Sequence, residues 1–188
     1  MLNKKNIFFI IVFFSLSSFL IGLSTGRYQH FPYNFLYYLY NGYPVGGNFK
    51  PGGRNFNIDY YDQLDVDLNK KTAIFITYGQ SNAANDGQLG YVVKNDVFQY
   101  VIGESFVYKD PSLGATGFGG SVWGMLGDKL IQNGYYDQVI FSNCGWSGKR
   151  IEELKEGHYF EYLSKNFLSL EKKYGRVDGI LFHQGEAN

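Results

Sequence analysis

The sequence predicts an α/β domain built on a parallel β-sheet with helices on both faces. From Lys71 onward, short apolar runs alternate with longer stretches of helical periodicity. Strands that alternate with helices are joined by right-handed crossovers, which make the strands parallel and cover both faces of the sheet. The composition, with 45% hydrophobic and 18% charged residues in a chain of 188, is that of one globular domain.

The chain begins with an apolar segment, residues 7–23, which follows Lys4 and Lys5. Its length lies between that of a signal-peptide core and that of a membrane span. Small residues at 24–26 permit cleavage, whereas the length and bulk of the run favour an uncleaved anchor with its basic end in the cytoplasm. We therefore interpret residues 1–26 as a signal peptide or membrane anchor and expect the rest of the chain to be extracytoplasmic.

Residues 27–70 are rich in Tyr, Phe, Asn and Gly and follow neither a helical nor a strand period. We interpret this segment as an aromatic-rich tether. Its rings suit a membrane interface, a sugar-binding strip or packing against the globular part, and packing is the preferred interpretation. The folded domain is then expected to span residues 71–188.

Five elements are predicted in the order strand, helix, strand, helix, strand. The strands are the apolar runs 72–78, 137–144 and 177–184. The helices are 121–135 and 159–175, in which apolar residues recur every three or four positions.

Each predicted helix has an apolar face. In the first helix the apolar positions at helical spacing are Val122, Met125, Leu126, Leu130 and Ile131. In the second they are Phe160, Leu163, Phe167 and Leu170. Lys172 and Lys173 lie in the last turn before Gly175, where cations suit the helix dipole.

Polar and glycine-rich residues follow all three predicted strands. The sequences are GQSN at 79–82, CGWSG at 144–148 and HQGEAN at 183–188. In a parallel sheet the ligand site lies at the carboxyl ends of the strands, so these segments are expected at one edge. Their coincidence predicts a constructed site there.

Ser81 is the candidate nucleophile of that site. A serine hydroxyl is inert at neutral pH unless a base takes its proton and preorganised donors hold the oxyanion that forms. A helix beginning after the first strand would supply such N–H donors, although Ser81 could instead merely cap that helix. Gly117, Gly119 and Gly120 allow close approach of the backbone and offer further donors.

Several other function classes are disfavoured. The 17 Lys and Arg residues balance 17 Asp and Glu residues, which leaves no electrostatic footprint for nucleic acid. The glycine spacings fit neither the dinucleotide fingerprint nor the P-loop. Ala83 stands where the second glycine of a G-x-S-x-G elbow would be. No His or Cys pair has zinc-ligand spacing, so no metal and no cofactor are expected.

Four blocks in order resemble the SGNH hydrolases, specifically the sialate O-acetylesterase-like carbohydrate esterases. They are GQSN at 79–82, GFGGSVWGMLGDKL at 117–130, CGWSGKRIEEL at 144–154 and HQGEAN at 183–188. This resemblance covers residues 71–188. It implies a flavodoxin-like three-layer α/β/α fold and a serine esterase that removes O-acetyl groups from sialic acid or another acetylated carbohydrate through an acyl-enzyme.

The resemblance also implies site roles. Ser81 is the nucleophile, and its own N–H is the first oxyanion donor. Gly119 or Gly120 gives the second N–H, and the side-chain amide of Gln184 gives a third donor that does not titrate. His183 is expected to shape the pocket rather than act as the base.

Three further residues are expected to support the loops. Asn82 belongs to the GQSN block and Glu186 to the HQGEAN block. Arg150 is the candidate ion-pair partner of Glu186. The alternative is that Glu186 is an ordinary surface carboxylate.

The base of the resembled family comes from an Asp-x-x-His segment, which the 188 residues do not contain. We therefore expect the sheet to be incomplete, the chain to be the amino-terminal part of a longer protein and its own ester hydrolysis to be poor. Two other functions stay open: a non-catalytic carbohydrate-binding module and a glycan O-acetyltransferase. If residues 7–23 are uncleaved, the membrane is a further partner.

Overall fold

The computed structural model describes residues 13–19 and 54–185. The chain divides into two compact units, Met1–Val45 and Gly46–Asn188. In the first unit, residues 13–19 form a helix, α1, with exposed phenylalanines. None of the helices in the described ranges combines the length and the apolar character needed to cross a membrane. The predicted anchor at 7–23 and the tether up to residue 53 lie largely outside those ranges.

The second unit contains five strands and three helices in the described part of the chain. The strands are β1 (Thr72–Gly79), β2 (Val97–Val101), β3 (Glu104–Val107), β4 (Gln138–Asn143) and β5 (Gly179–His183). The helices are α2 (Trp123–Gln132), α3 (Ile151–Leu154) and α4 (Gly157–Tyr174). A short 3-10 helix, Ile58–Tyr60, precedes β1.

The strands form one sheet in the order β3-β2-β4-β1-β5. All neighbouring pairs are parallel except β2 and β3, which form an antiparallel hairpin. The predicted α/β class with a mostly parallel sheet is therefore confirmed, and the three predicted strands are β1, β4 and β5. β5 is an edge strand of the described sheet, and its Ile180 and Phe182 are 48% and 52% exposed.

The β2–β3 hairpin was not predicted from the sequence. All five residues of β2 are buried, so the strand shows no alternation between apolar and polar positions. Its buried Gln99 interrupts the apolar run, and the hydrogen bonds from Leu113 N to Gln99 Oε1 and from Gln99 Nε2 to Val107 O satisfy the amide. The hydrophobic periodicity of the sequence therefore does not predict this central strand.

Helices cover both faces of the sheet. On one face, α2 contributes Trp123 to a core with Val139 and Phe141. On the opposite face, α4 contributes Leu163 and Leu170 to a second core cluster. The crossovers before and after β4 thus run on opposite faces, as the predicted class requires.

The predicted apolar face of α2 is wrong in part. Val122 and Met125 are 49% and 52% exposed, whereas the buried residues include Gly124 and Gly127. A Cβ on Gly127 would lie 2.7 Å from a methyl carbon of Val97. Small residues therefore face the sheet because the helix approaches it closely, and Leu126, Leu130 and Ile131 pack at the border.

The tether boundary at residue 70 is also wrong. Asn55 is buried, its N–H donates to Ala115 O at 2.8 Å, and its O accepts from Gly114 N at 2.7 Å. Further along, Leu64 N donates to Ser105 O at 3.0 Å. The described part of the predicted tether therefore belongs to the domain, held by isolated backbone contacts that leave no periodic signal in the sequence.

Candidate functional site

The three segments that follow β1, β4 and β5 meet at the carboxyl edge of the sheet, as predicted. Gln80 N donates to His183 O at 3.1 Å, which joins the ends of β1 and β5. Trp146 N donates to Gly79 O at 2.9 Å, which joins the loop after β4 to the end of β1. Ser81 therefore lies at the carboxyl end of a strand with a parallel neighbour on each side.

Ser81 occupies a tight turn. Gly79 has φ +135°, and a Cβ there would lie 1.8 Å from His183 O, so only glycine permits this approach of β1 to β5. Ala84 N donates to Gln80 O at 3.0 Å, and the buried Ala83 and Ala84 hold the turn against the domain. Ser81 itself is half-exposed.

No helix follows this turn, because residues 81–84 are a turn and Asn85 forms a β-bridge with Gly117. The expected helix N-terminus is therefore wrong. Ser81 is not a helix cap, and the donors of a first helical turn are not available to it.

The N–H groups of Gly119 and Gly120 are already used. Gly119 N donates to Asn85 O at 2.6 Å, and Gly120 N donates to Gly87 O at 2.9 Å. A Cβ on Gly119 would lie 1.9 Å from Gly87 O. These glycines are explained by the close pairing of two backbone segments, which argues against either as the second oxyanion donor in this conformation.

Gln184 lies against the residue that precedes Ser81. Its Nε2 donates to Gln80 Oε1 at 3.0 Å and to Lys149 O at 3.1 Å. Gln80 is buried, so this contact fixes the carboxamide near the turn. An oxyanion would have to replace one of the two acceptors, and the role of Gln184 as a donor stays a prediction.

The predicted supporting residues are only partly described. Asn82 is exposed, and so is Arg150. Arg150 N donates to Glu153 Oε2 at 3.0 Å, which caps the start of α3. Glu186 lies outside the described residues, so its pairing with Arg150 stays a prediction.

A buried polar network that sequence reasoning missed ties the loops together. Asn85 Oδ1 accepts from Ser112 N and from Ser112 Oγ, both at 2.8 Å. Asn143 Nδ2 donates to Ser112 Oγ at 2.6 Å, and Asn143 Oδ1 accepts from Gly145 N at 2.9 Å. Buried amides between apolar runs were the only signal for it. The network ties the loop after β1 to the loop before α2 and to the end of β4.

Asp86, Thr116 and Ser147 form a second polar group at the same edge. Ser147 Oγ donates to Asp86 Oδ2 and lies 2.8 Å from Thr116 Oγ1. Ser147 N donates to Thr116 Oγ1 at 2.6 Å. Partial burial raises the pKa of the Asp86 carboxyl, and the hydrogen bond from Ser147 opposes this shift.

An aromatic cluster surrounds Trp146. The guanidinium carbon of Arg54 lies 3.6 Å from the Trp146 ring centre and 3.2 Å from that of Tyr162. Burial lowers the pKa of Arg54. Tyr159 meets the Trp146 ring edge-on at 4.7 Å. This stacking fixes Trp146, which is the residue that bonds to the end of β1.

His158 belongs to the same aromatic cluster, and Cys144 is not a reactive thiol. The His158 ring lies 5.7 Å from the Trp146 ring, and the backbone carbonyl of His183 accepts from Gln80 N. Cys144 is buried, and burial raises its pKa to about 12, so the thiol is protonated at neutral pH. Within the described residues, no group of His, Cys, Asp and Glu is suited to holding a metal ion.

Comparison with models of protein families gives no match for the chain, and comparison with curated proteins gives none either.

Proposed function

We propose that the chain is a serine esterase of the SGNH type that removes acetyl groups from carbohydrate hydroxyls, with Ser81 as the nucleophile. The observation that carries the proposal is the position of Ser81 on a tight turn at the end of β1, between the ends of β4 and β5. The connections on either side of β4 run over opposite faces of the sheet. In open α/β sheets, ligands bind at such a point, outside the carboxyl ends of the strands.

The proposed reaction is acyl transfer through Ser81. Its Oγ attacks the acetyl carbonyl while a base removes the hydroxyl proton, and the sugar oxygen leaves with a proton. The resulting acetyl-Ser81 is hydrolysed to acetate. The half-exposed turn leaves Ser81 accessible to a substrate, and the hydrogen bonds that join Asn85, Ser112 and Asn143 tie the loop after that turn to the neighbouring loops.

A finer aspect of the proposal concerns the fold. The β4-β1-β5 arrangement, with β1 in the centre and helices on both faces, is compatible with the flavodoxin-like order of the SGNH hydrolases. In this interpretation β2 and β3 extend the sheet on the side of β4. The resemblance of the sequence blocks supports the same assignment.

The proposal is tested by supplying the missing base. We expect the chain alone to release little acetate from an acetylated methyl glycoside, because no Asp-x-x-His segment occurs in its sequence. Added imidazole acts as an external base and should increase the release. Ser81→Ala should abolish this increase, whereas Ser164→Ala, which removes a serine on α4, should retain it. Equal release by the parent and Ser81→Ala would refute the esterase.

A carbohydrate-binding module is the second candidate. The occupied N–H groups of Gly119, Gly120 and Gln184 favour it, because they leave an oxyanion fewer free donors. Such a module would bind the acetylated glycoside but show no Ser81-dependent acetate release with imidazole.

A further inference from the structure

We propose that Asp86 is the residue that recognises the sugar, by accepting a hydrogen bond from a hydroxyl next to the acetylated one. This inference rests on the proposed function, since it names the substrate contact of the same site. Asp86 was not among the residues predicted from the sequence. It stands five residues after Ser81, at the rim of the same edge.

The backbone around Asp86 is fixed on both sides. Asn85 N donates to Thr116 O at 2.9 Å. On the other side, Gly87 N donates to Gly120 O, and Gly120 N donates to Gly87 O, both at 2.9 Å. A carboxylate held between two such pairs is preorganised, so little conformational entropy is lost when it binds a hydroxyl.

The hydrogen-bond directions around Ser147 leave the carboxylate as an acceptor. Thr116 Oγ1 accepts from Ser147 N, and its own proton can then point to Ser147 Oγ at 2.8 Å. The proton of Ser147 Oγ is therefore directed at Asp86 Oδ2. The serine holds the carboxylate in orientation through one of its oxygens.

Asp86 keeps acceptor capacity for a ligand. An ionised carboxylate has about four lone-pair sites, and in residues 54–185 Ser147 is the one donor to it. None of the ion pairs in that range includes Asp86. The residue is exposed. A charged acceptor at an open rim, without a cationic partner, suits a sugar hydroxyl, because hydrogen bonds to charged groups are the stronger ones.

The test is a binding measurement on the full chain. Two probes are titrated by NMR: a mono-O-acetylated methyl hexoside and the same compound with its remaining hydroxyls O-methylated. We expect the parent to bind the free-hydroxyl compound about tenfold more tightly than the methylated one. Asp86→Asn should reduce this ratio towards one, and the control Asp65→Asn, at an exposed position away from the edge, should retain it.

A merely structural role for Asp86 predicts a different result. Asp86→Asn would then lower the free energy of unfolding but leave the ratio of the two dissociation constants unchanged, which would overturn the proposal. If this variant does not fold, the titration of the parent protein tests the proposal. The backbone amide NMR signals of Asp86 and Gly87 should shift when the free-hydroxyl compound is added, and unshifted signals would overturn the proposal.

The two proposals fail separately. If the ratio is unchanged in Asp86→Asn and acetate release depends on Ser81, the sugar contact of Asp86 is refuted and the esterase proposal stands. If Asp86→Asn reduces the ratio but no acetate release depends on Ser81, the esterase proposal is refuted and the binding of a sugar hydroxyl by Asp86 stands. Absence of any binding of the acetylated hexoside by the parent would overturn the contact directly.

Discussion

Asp110 makes the stability of the domain depend on pH in an unusual direction. The residue is buried, and its Oδ2 accepts from Tyr91 N at 2.9 Å and from Ser121 N at 3.1 Å. Tyr108 OH donates to Oδ1 at 3.1 Å. Burial raises the pKa of Asp110 from 3.8 to about 6, although these hydrogen bonds oppose the shift. The folded chain therefore holds this proton at a pH where the unfolded chain has released it.

The sign and size of the effect follow from linkage. Between about pH 4 and pH 6 the folded state binds more protons than the unfolded state, so the free energy of unfolding falls as pH rises. A pKa difference of about two corresponds to about 3 kcal/mol. This stabilising contribution is fully present below pH 4 and is lost by about pH 6 to 7.

Asp110→Asn removes the titrating group but keeps a polar side chain of similar shape. We expect the unfolding free energy of Asp110→Asn minus that of the parent to rise by about 3 kcal/mol between pH 4 and pH 7. Urea unfolding followed by circular dichroism at several pH values gives this difference, with Asp65→Asn as the control for loss of an exposed carboxylate. A difference that is flat or falls with pH would refute the reasoning.

Three further predictions concern packing and reactivity. Gly79→Ala should lower the free energy of unfolding by about 3 kcal/mol or more in urea titrations, because the added Cβ would collide with the carbonyl oxygen of His183. The control is Gly134→Ala, which should lower it by only about 1 kcal/mol, because Gly134 has φ +72° but no atom lies close to an added Cβ. Cys144 should resist iodoacetamide in the native state at pH 8 and react after unfolding in guanidinium, as followed by mass spectrometry; rapid native labelling would contradict its burial. Asn85→Ala should lower the free energy of unfolding by about 3 kcal/mol in thermal or urea unfolding, because it leaves the buried N–H and C=O of Ser112 without their side-chain partner. A loss below 1 kcal/mol would contradict the importance of this network.

The strands around the site could be predicted because they are short apolar runs with distinct boundaries. Glycine and polar residues flank β1, β4 and β5. The polar blocks at the ends of these strands predicted a site at that edge of the sheet. β2 contains a buried glutamine, and β3 follows it through a turn at Ile102 and Gly103. Nothing in the local pattern separates this hairpin from a loop.

The parts of the site that could not be predicted depend on pairing between distant backbone segments. The glycines at 119 and 120 suggest N–H donors when they are considered alone, but the backbone of 85–87 takes both donors in the folded chain. In the same way, the approach of Ser147 to Asp86 joins loops that are 61 residues apart. Spacing in the sequence gives no information about such contacts, because they depend on the order of the strands in the sheet.

The identity of the serine that becomes acetylated tests the central claim most directly. The chain is incubated with an acetylated glycoside and imidazole, quenched in acid and digested with trypsin. The peptide of residues 72–94 contains Ser81 as its only serine, whereas Ser147 lies in a different peptide. We predict that the acetyl group is found on the 72–94 peptide and is missing from it in Ser81→Ala. Acetylation of Ser147 instead, or the same adduct in Ser81→Ala, would contradict the assignment of Ser81 as the nucleophile.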